Sequence, residues 1–527
     1  MSIPARRSPV SQGGNRVDRE TRRRRTLTDQ ELSRRTFLRG IAAAGIGTAM
    51  AGLWEPAHVA QVRGATRASA AGLPRGLGSV SNVLAADGGP GRDQTGSDQS
   101  VWMAHLLRRA GFAATTADLQ DYLPLGINGA VDKLLNFATD SDPGLDAANG
   151  AGLDVSKIAD AQRWWLMRMM YTNRPLQEKM TLFWHGILTS GVAKVSGRYL
   201  NTMLAQNEFL RANALGTSEV LLKGISRDPA MMVWLDLQTS SKAHPNENFA
   251  RELMELFSLG IGNYTESDVR EGARAFTGYQ LTQDRIFVYN AKIHDDGSKS
   301  YLGQTGNFNG DQAIDIILAK RSAAEYISKR LWSFFAYPNP EPEVIGPLAD
   351  TFQASGHNIK AVMQKLLTTP QFYTDQAYQS LIKSPAEFVA GAARSLGLST
   401  DAAGFPNYMQ QMGQELFNPP NVAGWPGGAT WMSSSSFFAR MNFLNTIVYA
   451  KDGPDASAIL GGYTSRAAAD AIDLAADRLL SVPLSDGSAG VIEQFLSDSN
   501  GSRGAVTDKN VKSFIYLMLA SPENQLT

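Results

Sequence analysis

The segment His244–Leu256 contains the highest density of side chains that could do chemistry. Glu247, Asn248, Arg251 and Glu252 fall within six consecutive positions. On a helix, side chains three or four residues apart lie side by side, and a carboxyl group buried in a cleft acquires the raised pKa that acid catalysis requires. We therefore expect Glu247 and Glu252 to be acid-base catalysts, with Arg251 as a further catalytic residue and Asn248 in contact with substrate.

The same segment also has a purely structural interpretation. Glu247, Arg251 and Glu255 are spaced by four residues, which is the pattern of an exposed helix face joined by ion pairs. Phe249 and Leu253 would then point into the core. Exposed pairs of this kind contribute only a few tenths of a kcal/mol, so the face would simply remain solvated. The residue pattern leaves both interpretations open.

A divalent metal site is a second hypothesis for this region. His294 and Asp295 stand on a turn that ends at Gly297 and, together with His244, they offer nitrogen and oxygen ligands. His185, Glu247 and Glu252 could join them, since helical bundles hold metals between facing helices. The turn lacks the alternating acidic pattern of a calcium loop. An ordinary Asp-Gly turn and a core histidine would explain these residues without a ligand.

A loop at residues 417–428 contains so many Pro and Gly residues that it cannot form a regular element. Trp425 lies in this loop and Trp431 follows it. We expect both rings to offer stacking surfaces to a sugar or peptide ligand, with the alternative that they anchor the loop in the core. The chain has no Gly-x-Ser-x-Gly or Walker-type motif, so α/β-hydrolase and nucleotidase interpretations lack support.

The elements that must position these residues are mostly helices. Apolar residues recur every three to four positions from about residue 101, which predicts a mainly α fold, a multi-helix packed domain. Short apolar stretches separated by glycines predict a small β-hairpin insert near 281–310. We assign residues 99–450 to the main helical domain and 451–527 to a C-terminal helical region packed on it.

Residues 1–70 have the features of a twin-arginine signal peptide. The pair Arg34-Arg35 precedes a mildly apolar stretch at 40–54, and residues 68–70 (Ala-Ser-Ala) fit a cleavage site. The apolar stretch is shorter than the roughly 20 residues that a membrane span needs. We therefore expect export of the folded protein to the periplasm, the cell envelope or the medium. The composition of residues 71–98, rich in Gly, Ser and Ala, predicts a flexible linker.

The distribution of charge argues against nucleic acid as a partner. Residues 1–70 hold 13 of the 50 basic residues but only 5 of the 50 acidic ones, which leaves the remaining chain with 37 basic and 45 acidic residues. Binding to nucleic acid depends on neutralising phosphates, which a net negative chain does poorly. The absence of cysteine excludes disulfides and thiolate metal sites. No apolar stretch beyond the leader predicts a membrane span.

Several motifs together resemble the DUF1800 family, a large bacterial family of uncharacterised function. They lie at residues 105–112, 182–186, 227–231, 244–256, 275–278, 294–297 and 413–426. The resemblance runs in order through roughly residues 100–450. It implies an exported protein whose gene commonly neighbours that of a DUF1501 protein, which is similar to sulfatases and phosphatases, and so it implies a partner. It supplies no established catalytic residues.

Three functions are consistent with these observations. The first is a carboxylate-dependent hydrolase or lyase that acts on an envelope or extracellular polymer. The second is a metal-binding protein that is loaded before folded export. The third is a non-catalytic scaffold that acts with a co-exported DUF1501-like partner.

Overall fold

The computed structural model describes residues 95–527, except residues 138, 140, 196–199 and 501–503. The predicted signal peptide, residues 1–70, lies outside the described residues, as does nearly all of the predicted linker at 71–98. The first described helix begins at Thr95. The prediction of a mainly α, multi-helix fold is confirmed.

Helices α1 to α12 form the described chain before the β insert. They are α1 (Thr95–Ala110), α2 (Thr116–Tyr122), α3 (Gly126–Leu135), α4 (Pro143–Gly150), α5 (Ile158–Tyr171), α6 (Pro175–His185), α7 (Val192–Val195), α8 (Leu200–Ala212), α9 (Ser218–Ile225), α10 (Pro229–Trp234), α11 (Glu247–Glu255) and α12 (Glu266–Ala275). Their starts follow local capping rules. Thr265, for example, accepts a hydrogen bond from the Asp268 N–H while the Asp268 carboxylate accepts one from the Thr265 N–H.

The β insert consists of two antiparallel hairpins where the sequence predicted one. Strands β1 (Tyr279–Leu281) and β2 (Phe287–Tyr289) pair with Tyr279 opposite Tyr289. Strands β3 (Lys299–Tyr301) and β4 (Gln304–Gly306) pair with Lys299 opposite Gly306. The predicted small β insert is therefore confirmed, both as antiparallel strands and in its approximate position in the chain. The strands are too short to form a sheet layer of their own, so the insert depends on the helices against which it packs.

Helices α13 to α24 complete the described chain. They are α13 (Gly310–Leu318), α14 (Arg321–Phe335), α15 (Pro342–Ala354), α16 (Ile359–Thr368), α17 (Pro385–Ser395), α18 (Phe405–Gln411), α19 (Ser434–Tyr449), α20 (Ala456–Leu460), α21 (Ala468–Ala475), α22 (Asp486–Asn500), α23 (Val511–Ala520) and α24 (Pro522–Gln525). The hydrophobic core is one connected cluster that extends from Trp102 to Ala520. A search of the described helices found none with both the length and the apolar character needed to cross a bilayer.

Buried charges join elements that are far apart in sequence. Four buried cationic side chains lie around the carboxylate of Glu387, near the start of α17: Arg109, Lys179, Lys383 and Arg440. Glu387 Oε1 accepts a hydrogen bond from Lys179, and Oε2 accepts one from the backbone N–H of Ser384 at 2.6 Å. Among the described residues, Glu387 is the one carboxylate whose charge raises the pKa of all four cations.

Further bonds of this cluster connect segments that are far apart in the chain. Arg109 in α1 donates to Ser380 Oγ at 2.9 Å. Arg440 in α19 donates to the Lys383 carbonyl at 2.7 Å and to Gln525 Oε1 at 3.2 Å. Burial and the charge of neighbouring Arg108 lower the pKa of Lys383 to about 7. Four cations held away from water would repel one another strongly without a compensating anion.

We expect Glu387→Gln to destabilise the protein by about 3–5 kcal/mol, because removing one partner leaves buried charge uncompensated. Burial alone would raise the pKa of Glu387, but Lys179 and the hydrogen bonds lower it overall. The contribution should therefore be fully present above the unfolded-state pKa, about 4.3, and be lost as the pH falls through the lower folded-state value. Denaturant unfolding between pH 3 and pH 8 measures both effects.

The matched control is Glu493→Gln, because Glu493 is an exposed carboxylate on α22. Equal stability of the two variants at pH 7 would contradict a structural role for the Glu387 cluster.

Candidate functional site

Helix α11 presents the residues that the sequence selects for acid-base chemistry. Asn246 caps its start: the side chain accepts a hydrogen bond from the Asn248 N–H at 2.9 Å, and its amide donates to the Asp236 carbonyl at 3.0 Å. Phe249 and Leu253 are completely buried on the opposite face. The polar face of α11, including the exposed Asn248, is thus held toward the surface.

Glu247 and Arg251 belong to an ion-pair chain at the surface. Arg251 binds both carboxylate oxygens of Glu266, at 2.6 and 2.8 Å, and approaches Glu247 at 3.3 Å. The side chains are 32% exposed for Arg251, 43% for Glu247 and 66% for Glu266. Glu266 and Glu247 hold the pKa of Arg251 above its usual value. The arrangement of Glu247 and Arg251 is the one expected from the structural interpretation, in which ion pairs lie on a solvent-exposed face of the helix.

Glu252 is placed differently on the same helix. Its side chain is partly buried, and no ion pair or hydrogen bond among the described residues engages its carboxylate. Burial and the negative charge of Glu255 raise its pKa, while Arg251 opposes that effect. Glu255 itself accepts a hydrogen bond from the Tyr264 hydroxyl at 2.5 Å. The result is a carboxyl group with elevated proton affinity next to a second, hydrogen-bonded carboxylate.

His294 turns inward, and Asp295 is neutralised by an arginine. His294 Nδ1 lies 2.8 Å from the Thr277 carbonyl and 3.2 Å from its hydroxyl. Arg274 donates to both carboxylate oxygens of Asp295, at 2.7 and 3.1 Å. These bonds lower the pKa of Asp295 to about 2. Both side chains therefore have structural partners that fix the turn against the end of α12.

The cation at the centre of this turn is a lysine. Lys299 is buried, and its ammonium donates to the Asp295 carbonyl at 2.6 Å, the Gly297 carbonyl at 3.0 Å and Asn307 Oδ1 at 3.2 Å. Three oxygen atoms thus converge on a positive charge, as they would in a site for a hard cation. The side chain of Lys299 occupies the position that a bound cation would need.

The structure brings the His244 loop next to the His294 turn without joining their side chains. The Lys242 N–H donates to the Ile293 carbonyl at 2.8 Å, but His244 is exposed whereas His294 is buried. No group of three or more His, Asp or Glu side chains in residues 95–527, outside the gaps given above, is arranged to hold a metal ion. The described residues therefore provide no ligand cluster for a metal, and the metal hypothesis stays a prediction.

His185 and Trp425 meet at a different place, beneath the Pro- and Gly-rich loop. The ring of His185 lies 5.5 Å from that of Trp425 and 5.2 Å from that of Trp165. Burial lowers the pKa of His185 to about 4. Gly424 has φ +80° and lies against the Gly186 carbonyl oxygen so closely that a Cβ would overlap it. Trp425 is therefore pressed against a core histidine and keeps only part of its ring at the surface.

Trp431 lies at the other end of the same loop. Its partly buried indole rests against Gly413 and Gly427. The two tryptophans that the sequence groups together thus occupy separate surroundings. Neither contacts α11 in the bonds and ring contacts of the described residues.

Sequence reasoning did not identify Lys299 or Tyr264. A lysine in a polar, glycine-rich segment is normally exposed, so nothing in the pattern indicated that Lys299 is an internal cation. Tyr264 follows Glu255 by nine residues in a turn, outside any helical periodicity. Only the path of the chain after α11 brings its hydroxyl to that carboxylate.

The family model described as a protein of unknown function, DUF1800, matches residues 105–526. The chain belongs to the DUF1800 family. The DUF1800 match includes α11, both hairpins, the Trp425 loop and nearly all of the C-terminal region. Comparisons with curated proteins and with solved structures found no match. Because the function of the family is unknown, the match assigns no reaction to this chain.

We expect Lys299→Met to lower the free energy of unfolding by about 1–3 kcal/mol, because three buried or partly buried acceptors lose their donor. Lys292→Met is the matched control, since Lys292 is exposed in the same insert. Thermal unfolding of both variants measures the difference. If Lys299→Met is as stable as the control, the ammonium does not hold the turn.

Proposed function

We propose that the protein is exported through the twin-arginine pathway and acts as a carboxylate-dependent hydrolase or lyase on a polymer of the envelope or extracellular space. Glu252 is the proposed general acid. The observation that carries this proposal is the contrast on α11: Glu247 is tied to Arg251, whereas Glu252 is partly buried, unpaired among the described residues and raised in pKa.

The chemistry of a general acid explains why this contrast matters. The group must be protonated at working pH and must reach the oxygen of the leaving group. A raised pKa gives Glu252 a larger protonated fraction than an ordinary glutamate has. Glu255, three residues along the helix, contributes negative charge that favours the protonated form of Glu252 and stabilises positive charge that develops on the substrate. Tyr264 fixes Glu255 in place through its hydroxyl.

A second candidate is a non-catalytic scaffold that binds a co-exported DUF1501-like partner. The observation in its favour is the first hairpin, where Ile286 is 62% exposed and Val288 39% on one face of β2, and Tyr289 is 48% exposed on the opposite face. The hairpin adjoins the loop before α11, because the Gly278 N–H donates to the Ser240 carbonyl at 3.1 Å. Exposed apolar side chains on a short hairpin are suited to a contact with another protein.

Export predicts a specific effect of the arginine pair. We expect the double substitution Arg34→Lys and Arg35→Lys to retain the protein in the cytoplasm, because the pathway recognises the paired arginines. Cell fractionation followed by immunoblotting measures the distribution. The control is Arg6→Lys with Arg7→Lys, which changes another pair in the same leader. Unchanged export of the first variant would contradict the proposed route.

Catalysis predicts that Glu252→Gln lowers kcat by roughly 100- to 10,000-fold, the usual contribution of a general acid. The assay is the release of new chain ends from purified peptidoglycan and from soluble polysaccharides. Glu247→Gln is the matched control, because that carboxylate lies on the same helix but is already paired with Arg251. We expect Glu247→Gln to change kcat little.

Activity that survives Glu252→Gln would rule out Glu252 as the acid. An inactive wild-type protein that co-purifies with a co-exported partner would favour the scaffold candidate instead.

A further inference from the structure

A surface groove of about 590 Å³ lies between α18 and α19, away from α11. Its lining consists of carboxamides, hydroxyl groups and one glycine: Gly404, Asn407, Tyr408, Gln411, Asn442, Asn445 and Thr446. Asn407, Gln411, Asn442 and Asn445 are exposed. The groove is within the size range of sites for small ligands, and it offers many donors and acceptors with no charge among these lining residues.

Aromatic packing below the surface holds the two walls of the groove together. Phe405 in α18 meets Phe443 in α19 with ring centroids 5.0 Å apart. The Tyr408 hydroxyl lies 2.7 Å from Thr446 Oγ1, which joins the walls near the surface. The amide side chains above these contacts therefore project from two helices whose relative position is fixed. A site on rigid elements binds with a smaller entropy cost than one on loops.

Charged residues are scarce within the two helices of the groove and the loop between them, although Asp401 pairs with Arg163 just before α18, and Lys451 and Asp452 follow α19. Residues 402–450 contain only two charged residues, Glu415 and Arg440, although charged residues make up 19% of the chain. Arg440 is completely buried, and Glu415 accepts a hydrogen bond from the Asn418 amide at 2.9 Å. The uncharged lining itself offers no ion-pair partner to an ionic ligand. The ligand that fits it is neutral.

Aromatic rings border this uncharged surface. Phe438 is 42% exposed and Tyr449 is 46% exposed on α19. Flat rings bind the C–H faces of apolar or amphipathic ligands, while carboxamides both donate and accept hydrogen bonds. Adjacent hydroxyl groups on a sugar ring offer the same paired donor and acceptor.

We propose that the α18–α19 groove binds a neutral polysaccharide, with Asn442 and Asn445 as the principal hydrogen-bonding residues. This proposal extends the proposed function by naming the class of polymer. The groove proposal depends on the proposed function in one respect, namely that the polymer bound in the groove is the substrate of the enzyme. Binding itself does not require Glu252.

The test measures binding without turnover. The purified exported protein is applied to an array of neutral and acidic glycans, alongside the double variant Asn442→Ala and Asn445→Ala. Both positions are exposed and helical, so alanine should preserve or improve the helix. We expect the wild-type protein to bind neutral glycans in preference to acidic ones, and the double variant to lose at least tenfold in affinity.

Two control variants separate this proposal from the catalytic one. Gln364→Ala removes an exposed carboxamide from α16 and should leave binding unchanged. Glu252→Gln should bind as tightly as wild type even if it is inactive. If Glu252→Gln loses activity but still binds glycan, both proposals are supported. If the wild-type protein is active but binds no glycan, only the groove proposal is overturned.

The groove proposal would be overturned by binding to no neutral glycan, by equal binding of the double variant, or by a preference for acidic glycans. A concentration-dependent dimer that the double variant abolishes would assign this face to a second copy of the chain and would also overturn it.

Discussion

Buried cations that share the carboxylate of Glu387 hold the helical domain together. Lys179, Arg109 and Arg440 come from α6, α1 and α19, so neutralising their charge requires three distant parts of the chain to meet at the start of α17. Charges removed from water are tolerated only with nearby partners. The cluster therefore specifies how the helices assemble as well as stabilising them, and it ties residues near 525 to the core through Arg440.

Whether a polar side chain is paired with another protein group also separates residues with a structural role from residues that are free to bind a substrate. Glu247, Asp295 and Lys299 are each bound to other groups in ways that explain their presence. Glu252 lacks such a partner in the described chain, and its raised pKa follows from burial and from Glu255. A carboxyl group without a hydrogen-bonding partner in the protein can still form a hydrogen bond with a substrate. That difference, rather than the number of acidic residues on α11, makes Glu252 the residue of interest.

The two proposed sites differ in electrostatic character. The surface of α11 is strongly charged, and its ion pairs hold the helix face in a defined arrangement. The α18–α19 groove has no charged lining residue and offers amides and aromatic rings instead. Recognition of a neutral polymer and protonation of a leaving group require these contrasting environments. One chain of this size can hold both, since each is fixed by its own pair of helices.

The amino-acid sequence was sufficient to predict the fold class, the small β insert and the family membership, because helical periodicity, glycine spacing and motif order are local properties. It also placed Glu247, Asn248, Arg251 and Glu252 on one helix. The contacts of Arg251 with Glu266, of Lys299 with the Asp295 turn and of Trp425 with His185 became evident only in the folded chain. These contacts depend on where distant segments meet and on which side chains lose water. No pattern within a single segment contains that information.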